Sequence, residues 1–182
     1  QKRAGVTYSN TLDMGLRDGR VVVPGGLIST AGIDDLLRSY VAKARGISNF
    51  DNLPIPYRAV ATDMVSGQMV VLSQGDLATA MRASMAIPGA FEPVQMNDWI
   101  LNDGGMVRNL PVDVARGLCA DVVIAVNLVK APIGPEKLQT ATQLAGRAMD
   151  VMIEANVEQQ LATLGPADVR VDVHLGDIGT AD

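Results

Sequence analysis

With one cysteine, Cys119, the chain cannot form an intrachain disulfide. No activating neighbour is apparent around it, so it reads as a small buried apolar residue rather than a catalytic thiol. There is also only one histidine, His174. With no second His or Cys to share a metal, a zinc site is not expected. The alternation Val171-Asp172-Val173-His174 makes that histidine a structural strand residue. Aromatic residues make up 3% of the chain, and the net charge is −5. Both argue against a nucleic-acid partner, which calls for stacking rings and a basic footprint. No apolar run approaches the roughly 20 residues that span a bilayer. The glycines at 15, 19, 25 and 26 are followed by no Lys-Ser/Thr, which removes the P-loop reading. Gly-x-Gly-x-x-Gly is absent, and no cofactor or metal is expected.

What is present suits a globular α/β domain. The 182 residues are 48% hydrophobic, enough for a sizeable core. Residues 1–28 read as an irregular surface excursion with one short strand at Val21-Val22-Val23. Ile33, Leu36, Leu37, Tyr40 and Val41 recur at helical spacing, and Gly46 follows as a stop. Tyr57 to Thr62 and Gln68 to Leu72 read as a hairpin around Ser66-Gly67. Asp76 to Met85 reads as a helix with Asp76 near its start, where a carboxylate suits both capping and the dipole. Val94 to Met96 and Trp99 to Leu101 form a second hairpin around Asn97-Asp98.

Val122 to Leu128 is a nearly unbroken apolar run, as expected for a strand buried on both faces of a parallel sheet. Pro135 opens a long helix to about Leu164. Its apolar stripe is Leu138, Ala141, Leu144, Ala145, Ala148, Met149, Met152, Ile153, Val157 and Leu161. Nine methionines are present. Met149 and Met152 read as core, whereas Met81, Met85 and Met106 are candidates for an acyl pocket or for core filling.

The most informative local feature is Asp103-Gly104-Gly105, at the end of the strand from Trp99 to Asn102. A carboxylate followed by two residues without a Cβ allows a sharp turn and close approach of a ligand. Asn109 and Pro111 follow, then a helix-like segment from Val112 to Leu118. Asn109 reads as a cap for that helix or a hydrogen-bonding group across the turn. Taken alone, Asp-Gly-Gly is more often a plain turn than a site.

Its neighbourhood changes that balance. Leu53-Pro54-Ile55-Pro56-Tyr57-Arg58-Ala59-Val60-Ala61-Thr62-Asp63 is followed by Ser66-Gly67. Then comes Gly75 through Arg82-Ala83-Ser84-Met85-Ala86-Ile87-Pro88-Gly89-Ala90-Phe91-Glu92-Pro93-Val94. In this order, with Asp-Gly-Gly and Asn-Leu-Pro after it, the string resembles the bacterial patatin-like phospholipases. The resemblance is good over about Gly25 to Leu128 and looser beyond.

It implies a layered α/β sheet with flanking helices, and a lipid acyl hydrolase using a Ser-Asp dyad. Asp103 stands where the family's aspartate stands, with Gly104 and Gly105 shaping the turn. The family's Gly-x-Ser-x-Gly elbow and its Gly-rich oxyanion loop do not occur in this sequence. Gly46-Ile47-Ser48-Asn49-Phe50 fails at its last position. Ser84 lacks flanking glycines and reads as structural.

Residues 1–182 therefore read as the C-terminal portion of one patatin-like domain, incomplete at its N-terminal side. The alternative is a non-catalytic lipid-binding or interaction module on the same fold. The resemblance implies a phospholipid or other acyl ester as substrate, and a missing N-terminal segment as partner. Without that segment, unpaired strand edges and a bare apolar face would favour self-association. A likeness to bacterial patatin domains joined to outer-membrane barrels implies secretion or outer-membrane association.

Overall fold

Asp63 shows how local sequence fixes the sheet. Its carboxylate accepts hydrogen bonds from the Val65 and Ser66 N–H groups (both 3.1 Å) and from the Ser66 hydroxyl (2.6 Å). This closes the turn between β3 (Ala59–Asp63) and β4 (Met69–Leu72). Gly67 supplies the positive φ of +70° that the turn requires. A fourth bond, from the Ile100 N–H at 3.3 Å, ties the same carboxylate to β6 (Trp99–Asp103).

A computed structural model describes residues 15–17, 20–22, 30–174 and 176. They fall into two compact units, divided between Gly104 and Gly105. The architecture is mixed α/β.

In the first unit, β1 (Gly15–Arg17) and β2 (Arg20–Val22) pair as an antiparallel hairpin. The strand expected at Val21–Val23 is thus one arm of a pair, and Val23 lies outside the described residues, as do Gly19, Gly25 and Gly26. The helix α1 (Ala31–Tyr40) is shorter than its pattern suggested. A 3-10 turn over Ala42–Ala44 follows it, and Gly46 takes φ +92°. Leu37 is buried, while Leu36 and Tyr40 are exposed.

The sheet runs β4-β3-β6-β5, with β5 being Val94–Met96, and every pairing is antiparallel. All five residues of the central strand β3 are buried. The helix α2 (Leu77–Ser84) is capped by Asp76, which accepts from the Thr79 N–H at 2.8 Å. The core joins Phe50, Ala59, Ala61, Leu72, Ala80, Ala83 and Leu101. Both anticipated hairpins and the Asp76 cap are present, because each was written in local turn and cap chemistry.

The second unit holds α3 (Gly105–Arg108), α4 (Val112–Arg116), β7 (Ile124–Val129), α5 (Ala141–Leu161) and β8 (Val169–His174). β7 and β8 are parallel, with Ile124 opposite Val169 and Val129 opposite His174. The helix α5 begins later than Pro135, which instead opens a 3-10 turn. A capping box sets its start: Thr140 accepts from the Gln143 N–H, and Gln143 reaches back to the Thr140 N–H.

Several expectations fail in this unit. β7 is covered on one side only. Val123 and Ala125 pack with Leu110, Val112, Val157 and Leu161. Ile124, Val126 and Leu128 are exposed, as are their register partners Val169, Val171 and Val173. The expected stripe of α5 packs only toward its C-terminal end. Leu144 and Met152 are exposed, so Met152 is not core, and Met149 is half-buried. Cys119 is exposed rather than buried. It takes φ +61° at the end of α4, where its N–H donates to the Arg116 carbonyl and the chain turns outward.

Candidate functional site

Asp103 is the last residue of β6 and lies opposite Ala61 of β3. Its backbone is fastened on both sides. The Asp103 N–H donates to the Ala86 carbonyl at 3.0 Å, and the Thr62 hydroxyl donates to the Asp103 carbonyl at 2.8 Å. Asp103 itself is half-buried, while Leu101 and Asn102 before it are buried. The sheet thus presents a carboxylate from the end of an inner strand at the boundary of the core.

Gly104 is buried, and its N–H donates to the Ser84 carbonyl at 3.3 Å. Its backbone lies on that of β3. A Cβ at this position would overlap the Val60 carbonyl oxygen and stand 2.5 Å from the Val60 carbonyl carbon. The glycine is required by close approach, not by a left-handed backbone. Ser84, the last residue of α2, is half-buried, and its carbonyl helps hold the strand end. Met81 is half-buried and Met85 exposed.

In the second unit, Gly105 is the first residue of α3 and not part of an open turn. Asn156 of α5 secures this segment. Its amide donates to the Gly105 carbonyl at 3.1 Å and the Met106 carbonyl at 3.4 Å, and its oxygen accepts from the Asn109 N–H at 3.1 Å. Asn109 does not cap α4. The helix begins at Val112, as expected, so the N-cap position falls on Pro111, which has no side-chain cap bond. Asn109 therefore takes part through its backbone, and its side chain is exposed.

Gln160 repeats the device one turn along α5, accepting from the Asp113 N–H at 3.1 Å. Asn156 and Gln160 were not singled out from the sequence. The signal was there: two amides four residues apart, interleaved with Ile153, Val157 and Leu161 on a face that is otherwise apolar.

Asp168 is the second unit's counterpart of Asp63. It accepts from Arg116 at 2.5 and 3.2 Å, the Val123 N–H at 2.8 Å and the Gly165 N–H at 2.7 Å. The guanidinium, then the backbone donors, hold its carboxyl well below the usual carboxylate range. This is a structural staple across the start of β7. His174 ends β8 with an exposed side chain. Among the described residues, no group of three or more His, Cys, Asp or Glu is arranged to hold a metal ion. No helix among them is long and apolar enough to cross a membrane.

Comparison with known proteins supplies the context for this arrangement. A family model described as "Patatin-like phospholipase" matches residues 4–116. An "Uncharacterized NTE family protein" of Mycobacterium bovis is 39% identical over 112 residues, 62% of this chain and 30% of that protein. Another protein of that description, from Mycobacterium tuberculosis, is 32% identical over 114 residues, 60% of this chain and 18% of its own. "Patatin-like phospholipase domain-containing protein 7" of Mus musculus is 40% identical over 80 residues, 43% of this chain and 6% of its own. The aligned stretch spans less than a third of each of these relatives.

Proposed function

Because the chain belongs to the patatin-like phospholipase family, we propose that it forms the aspartate-bearing part of a lipid acyl hydrolase. The observation that carries this reading is the setting of Asp103. An acidic residue ends an inner strand, its backbone is bonded on both sides, and Gly104 packs directly on β3. A half-buried carboxylate on a backbone fixed in this way suits a general base.

In the proposed reaction a serine hydroxyl gives its proton to Asp103 while the serine oxygen bonds to the acyl carbon. The proton then passes to the departing alcohol as the ester bond breaks. Water then gives a proton to the same carboxylate as its oxygen bonds to the acyl carbon; the acyl–serine bond breaks, Asp103 returns the proton to the serine oxygen, and the free acid leaves. The serine, on a Gly-x-Ser-x-Gly elbow, and the oxyanion donors would come from a segment of the polypeptide outside these 182 residues. Residues 1–182 are then the C-terminal portion of one domain. The substrate is a phospholipid or other acyl ester, and the chemistry calls for no cofactor.

The test is Asp103→Asn in a form of the protein that carries the elbow and hydrolyses esters. Asparagine keeps the shape but takes no proton, so kcat should fall about 10²–10⁴-fold with the circular dichroism spectrum unchanged. Retained kcat would overturn the assignment. Failure of any upstream-extended form to turn over esters would favour a non-catalytic lipid-binding module.

A further inference from the structure

Arg82 is the most unusual polar side chain in the first unit. Its side chain is 6% exposed, on the core side of α2. A buried guanidinium normally has its donors satisfied. Here, among the described residues, only Nη2 makes a hydrogen bond, to the Glu92 carbonyl at 3.0 Å. Nε lies 3.5 Å from Asp34 Oδ1 without hydrogen-bonding geometry, and Nη1 has no hydrogen-bond partner among the described residues. The guanidinium carbon sits 5.2 Å from the centre of the Phe91 ring. Apart from Asp34 of α1, the guanidinium reaches the far end of one loop, through Phe91 and Glu92.

That loop is the seat of Asp103. It leaves α2 at Ser84, folds on itself through the Ala90 and Phe91 N–H bonds to the Ile87 carbonyl, and enters β5 at Val94. Its near end supplies the Ser84 and Ala86 carbonyls, which accept from the Gly104 and Asp103 N–H groups. Arg82 therefore ties the loop's far end back to the helix from which the near end departs. We propose that Arg82 is a positioning residue that, by clamping Phe91 and Glu92, holds the Ser84–Ala86 carbonyls in place to orient Asp103. The inference rests on the reading of Asp103 as the base. The clamp itself is tested without catalysis.

The experiment is amide hydrogen exchange followed by NMR on the 182-residue chain, comparing the parent with Arg82→Met. The Asp63 N–H, bonded to the Gln68 carbonyl within the β3–β4 turn, is the internal reference. The Asp103 and Gly104 amides should exchange about tenfold faster in Arg82→Met, the scale of one charge-assisted hydrogen bond, with the Asp63 amide unchanged. Equal acceleration at all three sites, or no change at any, would overturn the proposal.

If Arg82→Met does not fold, Arg82→Lys carries the same comparison. It keeps the charge but not the planar reach, and the same selective loss is expected. Asp34→Asn should leave the two amides as they are. If it reproduces the loss, the ion pair and not the Glu92 clamp is responsible, and the proposal falls. An Asp103→Asn enzyme that stays active would remove the catalytic reading while leaving the exchange result intact.

Discussion

Gly104 and Val60 are in backbone-to-backbone contact, and no side chain fits between them. The atoms in the way are main-chain atoms of a buried strand, which cannot move aside as a flexible side chain would. Gly104→Ala should therefore destabilise the first unit by about 1–3 kcal/mol, as overpacking of a filled core does. It should also displace Asp103, the preceding residue. Urea unfolding of the two proteins measures the first effect, and an unchanged midpoint would show that the contact yields easily.

The Asn156 side chain meets three backbone groups of the segment from Gly105 to Asn109. Asn156→Ala leaves all three without that partner. The expected loss is about 1–3 kcal/mol, centred on the second unit. Denaturant unfolding checks it. A cost of a few tenths of a kcal/mol would mean that water replaces the amide freely.

Asp63 and Asp168, with Asp76 and Asp172, are carboxyls whose pKa the folded structure lowers, so they favour the fold at neutral over acid pH. The hydrogen bonds of Asp63, that from the Ser66 hydroxyl first, lower its pKa, and Arg116 lowers that of Asp168. A carboxyl whose folded pKa lies below its unfolded one adds stability above the unfolded value. That stability is lost as pH falls through the folded one. Melting temperature should accordingly hold above about pH 4 and fall below it. Asp168→Asn should melt lower at neutral pH and show a shallower acid limb. A variant with the parent's full acid dependence would contradict this.

The six apolar residues on one face of β7 and β8 are open to solvent, and parallel strands are ordinarily covered on both faces. The chain by itself should therefore associate, either with a segment that covers this face or with itself. Val126→Lys with Val171→Lys should reduce self-association. Sedimentation decides the matter: a monodisperse 19.2 kDa monomer of the parent chain would refute it.

The 182 residues alone are expected not to hydrolyse a short-chain p-nitrophenyl ester, since they hold Asp103 but no Gly-x-Ser-x-Gly elbow. Turnover that is well above buffer and lost in Asp103→Asn would show that a serine within the chain, Ser84 being the first to examine, serves as nucleophile.

By itself the sequence determined what is local. The Asp76 cap, the Ser66-Gly67 turn, the two hairpins and the strand that ends in Asp103 follow from residue types at fixed spacing. Their hydrogen bonds join positions a few residues apart. The family, too, was legible in the order of its short motifs. Only the tertiary structure decided which apolar residues have a partner. The pattern of α5 and β7 is the same whether a face is covered or bare, so Met152, Val126 and Leu128 could not be sorted from periodicity. Cys119 was misplaced for a related reason, because the outward turn after α4 left no signature in residue type. The long-range bonds within each unit were hidden by distance along the chain. Asn156 reaches Gly105, 51 residues away, and the Asp103 N–H finds Ala86 across a loop. Long-range bonds of this kind depend on packing, which no spacing rule encodes.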